Sequence, residues 1–239
     1  MPLPPSAPAQ LPMSWRKQDW AYLRLREWIL AGRLAPQQTL DQEGLATELG
    51  ISRVPLRQAL VRLAAEGLVV DRPHQRWMIT PVSLADARDV YAGREAMEVL
   101  LGGAAVEAVT DKDLDELVEI VEEQRWVTER GDLARFALLD RQFHSAIYGL
   151  AQMPHSLEVL ERLRTLSDRY IAMYLSDLDR ATTSLREHAA MIDALRARDA
   201  DRMRAVTRDH VRGGITALNR LLPELQGRTE DQKRPDPSA

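Results

Sequence analysis

The sequence predicts a mainly α-helical protein: an N-terminal winged helix-turn-helix, with three helices and a β-hairpin wing, followed by an all-α bundle of six helices. Three observations carry that reading. The stretch from Leu45 to Leu63 has the pattern of a short helix, a turn at Gly50 and a second helix. The β-prone runs Leu68–Arg72 and Trp77–Thr80, joined by Pro73-His74-Gln75-Arg76, read as a hairpin. Beyond Ser83 the chain holds a succession of helix start signals, and nearly everything reads as helix.

Residues 1–13 are Pro/Ala-rich and uncharged and are expected to form a disordered tail. Residues 14–81 are the expected winged-helix domain, with helix one running from Trp15 to Ala31 and stopping at Gly32. Trp15, Trp20 and Trp28 are read as packing residues of that helix. Gly50 has the freedom of φ that ends the next helix. Ser52 is a good N-cap for the following one, and Pro55 falls in its first turn, where a missing N–H costs little. Leu56, Leu60 and Leu63 sit at i, i+4 and i+7 and face a core, which leaves Arg53 and Arg57 on the opposite side. Arginines at the start of an exposed second helix suit a major-groove reader, because a guanidinium pairs with phosphate or bidentately with guanine. Ser52, Arg53, Val54 and Arg57 are therefore candidate DNA contacts, with Arg72 and Arg76 of the wing beside them. The domain boundary is expected near Pro81-Val82-Ser83. Start signals at Ser83, Thr110-Asp111, Asp132, Ser156, Asp179 and Asp199 set helices at 84–109, 111–130, 132–151, 156–177, 181–198 and 200–221 of a second domain, 82–225. A disordered tail is expected over 226–239.

Composition narrows the function. The 239 residues are 45% apolar and contain no cysteine, which excludes disulfides, thiol catalysis and thiolate metal sites. No apolar run approaches the ~18 residues of a membrane helix, and the start of the chain lacks the basic and apolar regions of a signal peptide. A cytoplasmic protein without membrane association is expected. The net charge of −4 is uneven. Residues 1–82 hold ten Lys/Arg against seven Asp/Glu, and the remainder twenty-two against twenty-nine. A basic end on an acidic body fits a small DNA-reading domain joined to a part with another task.

That other part has polar residues where core is expected. Phe136, Leu139, Phe143, Ile147 and Leu150 mark an apolar stripe that also holds Asp140 and His144, four apart and so on adjacent turns of one face. His188 falls on the stripe of Leu185, Ile192 and Leu195, and His210 on that of Met203, Val206, Gly213 and Ala217. Four inward polar groups on three helices are costly unless they satisfy one another. A divalent ion does so: zinc first, with nickel or manganese as alternatives. Arg94 also shares an apolar stripe, with Tyr91 and Leu101. Its spacing allows either a carboxylate clamp or a salt bridge to Glu98 at i+4.

The segment from Leu25 to Pro36, followed by the helix-turn-helix stretch, resembles the DNA-binding domain of GntR-type bacterial transcription regulators, with Arg76 where the family usually has a wing-tip glycine. Arg94-x2-Met97-Glu98, Asp140-x2-Phe143-His144, Glu187-His188 and Asp209-His210-Val211 resemble the FCD effector domain of the FadR-type branch. The resemblance implies that Asp140, His144, His188 and His210 bind a metal beside an effector pocket. It implies a homodimer that binds a two-fold operator in double-stranded DNA and answers to a small carboxylate-bearing metabolite, for which Arg94 is the candidate contact. The expected function is thus a metabolite-controlled regulator, a repressor rather than an activator, and not an enzyme. The alternative from another class is a metal-dependent hydrolase or lyase with an accessory winged-helix domain, since an open coordination site can activate water. Against it, no further inward carboxylate or serine presents itself as a base.

Overall fold

The computed structural model describes residues 10–71, 77–174 and 178–231, and the side chains of all of these except 172–174 and 222–231. The chain divides into two compact units, Met1–Val82 and Ser83–Ala239.

In the first unit α1 spans Lys17–Leu30, α2 Gln42–Glu48 and α3 Arg53–Ala65. Asp41 caps α2 by accepting from the Glu43 backbone N–H. The turn that follows needs its glycine: Gly50 has φ +62°, and the Ile51 N–H bonds the Ala46 carbonyl at 3.0 Å, closing α2 before α3 starts. Ser52 occupies the N-cap position of α3 with extended backbone, but its side chain makes no capping bond. Leu56, Leu60 and Leu63 are fully buried, each stabilising the unit by roughly 1.5–3 kcal/mol of apolar transfer. They pack with Trp20, Leu25 and Trp28 of α1 in a single core.

Strands β1 (Val69–Val70) and β2 (Met78–Ile79) pair antiparallel, with Val69 opposite Ile79 and Val70 opposite Met78. They are shorter than the β-prone runs. A third segment joins them, unforeseen in the sequence because it has no apolar alternation. Thr39 bridges Met78, and the Leu40 N–H donates to the Trp77 carbonyl at 2.7 Å. Leu11 packs against this core and the Trp15 N–H bonds the Pro12 carbonyl, so residues 10–13 are not the free tail expected from their composition.

The second unit holds six helices among the described residues: α4 (Leu84–Ala108), α5 (Asp111–Glu129), α6 (Leu133–Gly149), α7 (Pro154–Tyr174), α8 (Leu178–Arg196) and α9 (Ala200–Asp231). Ser83 caps α4, Thr110 and Asp113 form a reciprocal capping box on α5, and Asp132 caps α6. Two boundaries differ from expectation. Helix α7 starts at Pro154 rather than Ser156, because proline is well suited to a first helical turn. Helix α9 runs to Asp231, so 226–231 are helical and not tail. That stretch is polar, but glutamine, arginine and glutamate are good helix formers and a lone Gly227 costs only about 1 kcal/mol.

Helix α4 packs on α7 and α9, and α5 on α6 and α8. The α4–α9 approach depends on two glycines. A Cβ on Gly102 would stand 3.1 Å from Thr207 Oγ1, and one on Gly103 2.6 Å from Arg204 Nε. Two side chains of α7 also orient α4: Tyr170 and Arg169 both bond Asp86 in its first turn. No helix among the described residues is long and apolar enough to cross a membrane.

Candidate metal centre and nucleic-acid face

On α3 the buried leucines leave an outward face made by Arg53, Val54, Arg57, Gln58 and Val61. Val54 and Val61 are 67% and 54% exposed, and with Arg57 and Gln58 they line one shallow depression. Apolar side chains held in water on a basic face suit contact with thymine methyl groups. Arg53 pairs with Glu43 of α2 at 2.8 Å, with both side chains more than two-thirds exposed. Such a pair is weak, and a phosphate can replace the carboxylate. Gln58 and Val61 escaped the sequence reading, although their spacing from Val54 (i+4 and i+7) places them on the same stripe. Ser52 stands at the head of α3. Arg72 and Arg76 lie outside the described residues.

In the second unit α6, α8 and α9 bring Asp140, His144, His188 and His210 together, each offering a ligand atom within 4.8 Å of the others. His144 and His188 are fully buried, and Asp140 and His210 nearly so. Phe143 stacks on the His188 ring at 4.3 Å and holds it in place from α6. Asp140 Oδ1 stands 3.8 Å from His144 Nε2 and 3.5 Å from His188 Nε2. Both Nε2 atoms are buried without a hydrogen-bond partner. Those separations are long for hydrogen bonds. They suit atoms that share an ion, since ligands ~2.0–2.2 Å from one centre stand about 3–4 Å apart. An orphaned buried nitrogen is expensive, and an ion would satisfy both at once. The donor set fits a borderline-soft divalent metal.

The other ring nitrogens are engaged. His188 Nδ1 lies 2.9 Å from Gln124 Oε1 of α5, His210 Nδ1 2.7 Å from Glu187 Oε2, and His144 Nδ1 3.3 Å from the Tyr148 hydroxyl. Burial holds His144 and His188 well below the ordinary imidazole value of 6.5, with His210 adding to it, so both rings are neutral near pH 7. Burial also pushes the Asp140 carboxyl up, against the pull of His210 and of Arg164, Arg94 and Arg180.

Arg94 is buried, and the structure realises the ion-pair alternative: its Nε donates to Glu98 Oε1 at 2.7 Å and its Nη1 to Ser167 at 3.2 Å. Burial acts to raise the Glu98 carboxyl, but Arg94, Arg164 and the Tyr148 hydroxyl outweigh it and hold it low. Two further arginines were missed. Arg180 donates to Glu187 at 2.9 Å, and Arg164 is 2% exposed, with Nε and Nη1 lacking hydrogen-bond partners and Glu98 Oε1 3.8 Å away. Neither is flanked by a sequence pattern that separates it from a surface arginine; helical phase around Leu160 is the one signal for Arg164.

Residues 17–79 match the family model for bacterial regulatory proteins of the gntR family, and residues 89–213, more than half of the chain, match that for the FCD domain. The chain belongs to the GntR family. This GntR regulator is 27% identical over 203 residues to the HTH-type transcriptional repressor RspR of Escherichia coli K12, covering 85% of this chain and 89% of that protein. The transcriptional regulator McbR of the same organism is 28% identical over 198 residues, covering 81% and 89%. Among solved structures, E. coli McbR/YncC superposes with a TM-score of 0.74 at 24% identity, covering 86% of this chain and 98% of that one. A putative GntR regulator from Rhodococcus sp. RHA1 gives 0.68 at 19%, covering 85% and 98%. Both are alike in fold. The relatives are transcription regulators and not enzymes, so the hydrolase or lyase alternative falls away. The GntR unit implies DNA binding, and the FCD unit implies a small-molecule effector.

Proposed function

We propose that this GntR regulator is a repressor that leaves its operator when a small carboxylate-bearing metabolite binds beside a divalent ion held by Asp140, His144, His188 and His210. The observation that carries the reading is the pair of buried, unpartnered Nε2 atoms on His144 and His188 facing Asp140. Zinc is the first expectation, with nickel or manganese as alternatives, and RspR, named a repressor, lends the sign of regulation. The ion supplies a Lewis-acidic anchor for the effector's carboxylate.

Charge supports an anionic effector. The four donors and the groups around them include three guanidiniums, Arg94, Arg164 and Arg180, and three carboxylates, Asp140 of the donor set with Glu98 and Glu187 beside it. A divalent ion added to that set leaves two positive charges in excess, which an organic acid would offset. Arg164 is a better clamp than Arg94. Arg94 is committed to Glu98 and Ser167, whereas Arg164 has two buried N–H groups without acceptors. DNA is read by the outward face of α3, with Ser52, Arg53, Val54 and Arg57 at its start and Arg72 and Arg76 in the wing, from a homodimer on a two-fold operator.

An operator selected from random duplexes by the full-length protein tests this. Binding should weaken when an effective organic acid is added to the metal-loaded protein. An Arg164→Met variant should bind metal and operator but need at least tenfold more acid for release. If no member of a panel of mono-, di- and hydroxycarboxylates alters operator affinity, the effector reading is wrong.

A further inference from the structure

Each of the three histidines has its Nδ1 held by a partner on or tied to a different helix: Gln124 of α5, Glu187 of α8 itself, and Tyr148, which leads to α4. The last of these is a relay of two links. Arg94 Nε donates to Glu98 Oε1 at 2.7 Å, so Glu98 is the acceptor of the buried group, and the Tyr148 hydroxyl donates to Glu98 Oε2 at 2.7 Å. A phenol has a single proton. Once it is given to Glu98, the Tyr148 oxygen has only lone pairs to offer His144 Nδ1, 3.3 Å away. The proton between them must then be on the imidazole. His144 is left with N–H at Nδ1 and a bare lone pair at Nε2, the nitrogen that faces Asp140 and has no partner. Gln124 does the same for His188: its Oε1 accepts from Nδ1 and leaves the unpartnered Nε2 bare.

We propose that Tyr148, oriented by Glu98, and Gln124 are positioning residues that lock His144 and His188 in the tautomer and ring angle required of metal ligands. Glu98 and Tyr148 are fully buried and belong to α4 and α6, so the relay also joins the helix that opens the second unit to the centre. Without the relay His144 is free to place its proton on Nε2, toward the ion, and must lose it before binding. Outer partners of this kind are commonly worth 10–100-fold in metal affinity.

The inference rests on the metal reading proposed above, and cobalt titration of the chelator-stripped, full-length protein separates the two. Cobalt and zinc are the probes, the first followed by its visible absorption and the second by competition with a chromophoric chelator. The parent should bind one ion per chain. Tyr148→Phe keeps the ring and removes the hydroxyl, and should lower affinity 10–100-fold and change the intensity of the cobalt band. Gln124→Leu should also weaken binding, while Gln124→Glu, which keeps an acceptor opposite Nδ1, should restore affinity to that of the parent or better. A destabilised fold would lower affinity in all three variants alike, so rescue by glutamate and not by leucine identifies the hydrogen bond as the cause. Parent-like affinity and spectrum in both Tyr148→Phe and Gln124→Leu would overturn the positioning roles with the metal site intact. A parent that takes up neither cobalt nor zinc, nickel or manganese overturns the metal reading itself.

Discussion

Replacing Glu98 by glutamine should destabilise the second unit far more than its change of one atom suggests. Glu98 is fully buried between Arg94, 2.7 Å away, and Arg164, 3.8 Å away, themselves 3% and 2% exposed. The amide keeps the volume and one acceptor oxygen but leaves two guanidiniums without a counter-charge. Breaking a buried pair from one side costs about 3–5 kcal/mol, because the stranded charge cannot be solvated. At about 2–4 °C per kcal/mol for a domain of this size, the melting midpoint should fall by roughly 6–20 °C. Glu43→Gln is the internal control: Arg53 stands as close to Glu43, 2.8 Å, but both side chains are largely exposed. It should cost no more than about 1 kcal/mol. The comparison is made on chelator-stripped protein by hydrogen exchange, at α4 and α6 amides for Glu98→Gln and at α2 and α3 amides for Glu43→Gln, since the two sites lie in different units. Fluorescence is a poor probe, since four of the five tryptophans (Trp15, Trp20, Trp28 and Trp77) lie in the first unit. If Glu98→Gln loses no more stability than Glu43→Gln, the buried-charge argument is wrong.

Three other outcomes are expected. Arg57→Ala should weaken specific operator binding by about 1–3 kcal/mol at ~150 mM salt, with circular dichroism unchanged; equal affinity in a gel-shift titration would remove α3 as the reading helix. Stripping the ion should lower the melting midpoint of the second unit, because a ligand bound only by the folded state adds to its stability, and zinc should restore it in calorimetry. Gly50→Ala should cost about 1–2 kcal/mol in urea unfolding from backbone strain at φ +62° alone, since an added Cβ there has nothing within 4 Å to strike.

The helical class, the helix-turn-helix and the four inward donors were legible in the sequence for one reason: each is written in short-range periodicity. Leu56, Leu60 and Leu63 mark the buried face of α3 by spacing alone, and spacing equally marks Asp140 and His144 as neighbours on the buried face of α6. Capping residues such as Ser83, Thr110 and Asp132 act within three residues of themselves, so they too can be read in one dimension. Local pattern failed where partners are remote. The pairing of segment 37–40 with β2 depends on backbone hydrogen bonds that no side-chain pattern encodes. Periodicity shows that Arg94, Arg164, Gln124 and Tyr148 point inward or leaves it open, but not whom they meet. Arg94 had two partners in prospect: Glu98 stands one turn further along α4, and the packing of α4 on α7 added Ser167. The helix of Gln124 had no stated role until its packing on α8 carried the amide to His188, 64 residues away in sequence. Donor identity is local chemistry. Which nitrogen holds the proton is decided only when helices far apart in the chain pack together.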